Sequence, residues 1–172
     1  LCRLSAAALL IAAAVAMPAS AAAQRVRIKL GTLAPRSSKW LEAIERMGRR
    51  WKEVSDGKVQ LRVYPGGVAG DESDMVRKMG IGQLQAATIT NIGLGSIDRA
   101  TVALQVPMMF RSYAELDYVR GKLAPELEKR LADKGFVVLD WGDAGWVHFF
   151  AKEKVVEPED LGELKMYVWS GD

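Results

Sequence analysis

Few residues in this chain are equipped for covalent or proton-transfer chemistry. There is one histidine, His148, and one cysteine, Cys2. A zinc site draws three or four ligands from nitrogen, sulfur and carboxylate groups, so none is expected. His148 lies in the apolar run Gly145–Ala151 (GWVHFFA), and the chain has no Gly-x-Ser-x-Gly nucleophile elbow. His148 therefore reads as a packed or hydrogen-bonded side chain, not as the base of a triad. Asp71-Glu72-Ser73-Asp74 could gather a cation, but acids opening a helical pattern are what an N-cap and the helix dipole favour. Gly66-Gly67-Val68-Ala69-Gly70 precedes that helix and could cradle a phosphate. It lacks the Lys-Ser/Thr of a P-loop, and the acids behind it would repel an anion, so a tight turn is expected. Gly93-Leu94-Gly95 lacks the third glycine of a dinucleotide fingerprint. No catalytic residue, metal ligand or cofactor is predicted.

What remains is non-covalent recognition by polar and aromatic groups at strand ends. The candidates are Leu33, Ala34, Ser37, Ser38 and Trp40 after the first strand, and Thr90 and Asn91 after the third. Asp143 and Trp146 follow, then Tyr167 and Trp169 in an end of the chain rich in aromatics.

The elements that must position these residues centre on Val59–Gly95. Val59, Leu61 and Val63 alternate with Gln60, Arg62 and Tyr64, predicting a strand. A Pro-Gly-Gly loop, a helix capped by Asp71 and a strand over Ala86–Thr90 follow. That reads as a βαβ unit of a parallel sheet, with ligand loops at Pro65–Gly70 and Thr90–Ser96, beyond the carboxyl ends of the strands. Upstream, Arg27–Leu33 is a strand and Lys39–Ser55 a helix capped by Ser38, its Trp40, Leu41, Ile44, Met47, Trp51 and Val54 at helical spacing. Downstream, Asp98–Phe110 is a bent segment because of Pro107. Ser112 to Glu115 is a capping box, and Leu116, Val119, Leu123, Leu127 and Leu131 line one helix face, with a break expected at Pro125. Phe136–Asp140, Gly145–Ala151 and Leu164–Trp169 read as strands, with a short turn at Pro158–Leu161.

The chain has 172 residues and a net charge of +3. Acidic and basic residues alternate without a basic block, which argues against nucleic acid as a partner. Residues 1–23 form a secretory signal: Arg3, the apolar run Ala6–Met17, then small residues, with cleavage expected near Ala23/Gln24 or after Ala21. The apolar run is too short to span a membrane. Residues 24–172 can bury one sizeable core. Gly171 directly after a strand pattern reads as a turn, so the chain is expected to continue past Asp172.

Together, the signal, Ile28-Lys29-Leu30-Gly31-Thr32-Leu33-Ala34-Pro35, the Tyr64-Pro65-Gly66-Gly67…Gly70-Asp71-Glu72 element and Pro158-Glu159-Asp160-Leu161…Leu164-Lys165 resemble the solute-binding receptors of tripartite ATP-independent periplasmic (TRAP) transporters, the DctP family. The resemblance covers residues 27–172. It implies an α/β, periplasmic-binding-protein-like two-lobed fold, of which residues 24–172 are mainly the N-terminal lobe. It also implies a periplasmic receptor, not an enzyme, that closes on a small organic acid and delivers it to the TRAP membrane subunits. The family usually places a carboxylate-clamping arginine two residues past the position of Lys165, where this chain has Tyr167. A second arginine, common on the preceding strand, would fall at about Val147. The resemblance then implies a ligand that is less acidic or held differently. The residues alone leave two rivals open: a secreted α/β enzyme, and a sensor or protein-binding domain of the same fold.

Overall fold

The computed structural model describes residues 25–148, 150–162 and 164–165. The signal reading, Tyr167 and Trp169 lie outside them, as does most of the Leu164–Trp169 strand reading.

Three strands form a parallel sheet in the order β2-β1-β3: β1 (Val26–Thr32), β2 (Val59–Tyr64) and β3 (Ala86–Thr88). Val26 to Gly31 pair with Val59 to Tyr64, and Leu30 to Thr32 with Ala86 to Thr88. The central strand is therefore β1, not the unit at Val59–Gly95. β2 and β3 are joined by a crossover, but that crossover passes over β1 instead of pairing its own two strands. The reason lies in β1, whose last three residues are buried and whose two edges are both paired.

Helix α1 (Lys39–Val54) covers one face and α2 (Glu72–Gly80) the other. Ser38 caps α1, accepting the Leu41 N–H at 3.2 Å. Gly48 lets α1 lie against Leu61, since a Cβ there would fall 2.9 Å from that side chain. On the opposite face Gly31 faces Met75, Ala69 and Leu84, whose nearest atoms would lie 3.0–3.2 Å from a Cβ. Met75 is fully buried and forms the core there with Ala69 and Leu84. Asp71 caps α2, accepting the Asp74 N–H at 2.7 Å.

Beyond β3 the structure departs from the sequence reading. β3 ends at Thr88, and Thr90 caps a short helix α3 (Asn91–Ile97) where a loop was expected. Gly93, expected within that loop, is required inside this helix: a Cβ would meet Ile89 at 2.8 Å. Part of the expected bent segment winds into a 3-10 helix, Arg99–Gln105. Helix α4 (Tyr113–Asp133) then runs unbroken through Pro125. Gly121, whose carbonyl loses its partner to that proline, is exposed with open space around it, so water can satisfy the group. Leu127 and Leu131 are the buried part of the predicted apolar face.

Asp98 ties α4 to the end of α3. Its buried carboxylate accepts the Ala100 N–H at 2.9 Å and Arg130 at 3.1 Å, with Lys134 at 3.3 Å. The Ala100 N–H, then Arg130 and Lys134, hold its carboxyl well below the usual 3.8, at about 2.

Phe136–Asp140 and the described part of Gly145–Ala151 are not strands. Val137, Leu139, Val147 and Phe150 stand exposed. A strand needs a neighbour for its backbone groups, and these segments have none among the described residues. His148 is likewise exposed, not packed. Pro158–Leu161 forms the expected short turn, as a 3-10 helix.

Candidate functional site

With β1 between β2 and β3 and helices on both faces, the carboxyl ends of β1 and β3 flank the point where strand order reverses. That is where open parallel sheets bind ligands. Backbone bonds lock the neighbouring loops there. Gly66 N–H donates to the Ala34 carbonyl at 3.0 Å and Gly67 N–H to the Thr32 carbonyl at 3.2 Å. Thr32, buried, turns the exit of β1 by accepting the Ala34 N–H at 3.1 Å. Gly66 and Gly67 both hold positive φ, 65° and 76°, as a tight turn requires.

Leu33 and Ser37 are exposed on this rim. Ser38 is occupied at both ends: it caps α1 and donates to the Pro35 carbonyl at 2.7 Å. Trp40, 45% exposed, lays its ring over Gly142, so close that a Cβ there would fall 2.9 Å from it. Gly142 belongs to a segment strapped along α4. Trp141 Nε1 donates to Glu128 at 2.7 Å, Asp143 accepts from Arg120 at 2.6 Å, and Trp146 packs on Tyr113 with ring centroids 5.0 Å apart. Arg120 also bonds Asp117. The partners descend α4 (128, 120, 113) as the segment ascends, so it runs antiparallel to the helix. The structure thus brings Trp40 against the stretch carrying Asp143 and Trp146. It places Thr90 and Asn91 separately, past the end of β3.

Sequence reasoning missed Glu72. It gave this acid to the dipole of α2, yet Glu72 is only 4% exposed. Its Oε2 accepts the Thr90 N–H, the Thr90 hydroxyl and the Gly93 N–H, each at 2.9 Å. These contacts span 18 to 21 residues, and no local pattern announces them. Asp74, by contrast, behaves as a helix-start acid, its carboxyl lowered by a hydrogen bond from Arg77.

Hydroxyl, amide and indole groups at these tips can hydrogen-bond and stack on a small ligand. Among the described residues no group of three His, Cys, Asp or Glu side chains could hold a metal ion. A shallow depression lined by Arg49, Lys52, Glu53, Asp56 and Gly57 lies at the far end of α1, away from the tips.

The DctP family model, described as bacterial extracellular solute-binding protein, family 7, matches residues 30–171. A solute-binding protein of Chromohalobacter salexigens is 28% identical over 133 residues, 76% of this chain and 40% of its own length. One from Roseobacter denitrificans is 28% identical over 156 residues, 89% of this chain and 48% of its own. The chain thus spans less than half the length of these relatives. Among solved structures, a TRAP periplasmic solute-binding protein of Citrobacter koseri with bound D-glucuronate aligns with a TM-score of 0.69 at 27% identity, covering 78% of this chain and 46% of that one. Another, from Ochrobactrum anthropi, has its C-terminus bound in the ligand pocket. It aligns at 0.61 and 25% identity, covering 67% of this chain and 36% of that one.

Proposed function

We propose a function from one premise: the chain belongs to the DctP family of bacterial extracellular solute-binding proteins, and its fold is the α/β fold of the two-lobed TRAP receptors. The resemblance read from its motifs is borne out. On that premise it is a periplasmic receptor for a small organic ligand of the carboxylate type. Residues 1–23 direct export and residues 24–172 supply mainly the N-terminal lobe. A second lobe closes on the ligand about a hinge, and the loaded receptor delivers it to TRAP membrane subunits. Ligand contacts to both lobes select the closed state.

The observation that carries this reading is the match to the D-glucuronate-bound Citrobacter koseri receptor. The rim described above supports the location: Leu33, Ser37, Trp40, Asn91, Asp143 and Trp146 offer a mixed polar and aromatic surface. With tyrosine at position 167, where the family usually has arginine, the ligand carboxylate would meet a neutral hydroxyl, and hydroxyls on the ligand would carry more of the recognition. No helix among the described residues is long and apolar enough to cross a membrane.

The test is thermal melting of the full-length protein, second lobe included, with D-glucuronate, other sugar acids, keto acids and dicarboxylates, each beside its uncharged analogue. A true ligand at 100 times its Kd raises Tm by about 5–10 °C. No shift with any acid would refute the reading.

A further inference from the structure

We propose that Glu72 is the positioning residue of the β3 tip: its carboxylate fixes the turn Thr90–Gly93 and leaves Asn91, not Thr90, as the group that meets ligand there. The purpose assigned to the turn rests on the receptor reading; the clamp itself does not.

A carboxylate this buried persists only where donors replace its water. Here a single oxygen, Oε2, takes three. Two belong to Thr90, at the exit from β3, and the third to Gly93, in the first turn of α3. One side chain from α2 therefore pins both sides of the turn. The backbone is shaped for it: a Cβ on Gly93 would stand 3.1 Å from Glu72 Oε2 and 2.8 Å from Ile89, so only glycine allows the approach.

The clamp also settles what Thr90 is free to do. Its hydroxyl donates to Glu72 and accepts the Ile92 N–H at 3.3 Å. Donor and capping acceptor are both engaged within the turn. The next residue differs. Asn91 is half-buried, and its side-chain amide has no protein partner among the described residues. A carboxamide offers both a donor and an acceptor, which suits a ligand hydroxyl or carboxylate oxygen.

Glutamate is specific for this task. Aspartate is one methylene short. Glutamine has the reach, but its oxygen is neutral and its other terminus is a donor, so it restores the clamp only in part.

The test is amide hydrogen exchange, resolved by residue, in the full chain without ligand, comparing wild type with Glu72→Ala and Glu72→Gln. In Glu72→Ala the Thr90 and Gly93 amides are expected to exchange at least about tenfold faster, the loss of a bond to a charged acceptor. In Glu72→Gln the increase is smaller, and the β1 amides paired with β2 keep wild-type rates in both variants. Unchanged exchange at Thr90 and Gly93 would overturn the proposal. So would equal acceleration across β1, which would make Glu72 a general packing residue. If Glu72→Ala does not fold, Glu72→Gln decides alone: acceleration confined to Thr90 and Gly93 supports the clamp, and none refutes it. Because no ligand is present, this outcome is separate from that of the ligand panel.

Discussion

Every buried apolar side chain among the described residues lies in residues 25–135, whereas none in residues 136–165 is buried. Leu30, Leu41 and Met75 are buried on opposite faces of one sheet, while Val137, Leu139, Val147 and Phe150 are exposed. The first region is held by packing against paired strands. The second is held by handles: an indole N–H on Glu128, an ion pair to Arg120 and a tilted ring contact on Tyr113. Packing contributes through buried area and void-free fit, so it yields a rigid platform. Exposed polar handles contribute little each and leave a segment free to shift. On the receptor function proposed above, that division assigns this lobe's fixed contacts to the strand ends and its adjustable contacts to the strap along α4.

Substitutions test this division by where they do damage. The largest expected loss is in the core. Met75→Ala should lower unfolding free energy by about 2–5 kcal/mol in urea melts, because it empties a fully enclosed site. Gly31→Val or Gly93→Ala should cost about 1–3 kcal/mol by overpacking against neighbours already near 3 Å. A loss this large from a substitution in the strap would break the comparison.

Asp98 gives a subtler test. Its carboxyl sits at about 2 instead of the ordinary 3.8, chiefly through the Ala100 N–H and Arg130. A depressed folded value stabilises the protein above the unfolded value, and that contribution fades as pH falls from about 3.8 toward about 2. Asp98→Asn should therefore melt lower than wild type at pH 6, with the gap closing across that window. A constant gap would remove the charge from the explanation. The smallest effect belongs to the second region. Val147→Ala and Phe150→Ala should fall within about 0.5 kcal/mol of wild type.

Much of the first region was legible because its signals are local. Ser38, Asp71 and Ser112 each cap the helix they were expected to cap, and Val59–Tyr64 forms the strand its alternation predicts. What was not legible depends on contacts far along the chain. The centrality of β1 follows from which edges pair, and the work of Glu72 from partners that local spacing does not indicate. The same holds for Phe136–Asp140 and Gly145–Ala151, whose apolar runs specify a strand only if an edge receives them. Pro125 misled for the opposite reason: the carbonyl it leaves without a partner, at Gly121, is open to solvent, which a helix-breaking rule does not see. The tip residues were found by position alone, and Thr90 shows the limit of that, since its hydroxyl is spent inside its own turn.

The most direct test of the account is a residue-resolved exchange map of the full-length protein, second lobe included, with and without the acid that gives the largest melting shift. Binding at the strand tips predicts new protection in residues 33–40, at Asn91 and in residues 141–146, with none in the depression between Arg49 and Gly57. Protection centred on that depression, or none at the tips while the ligand is bound, would contradict it.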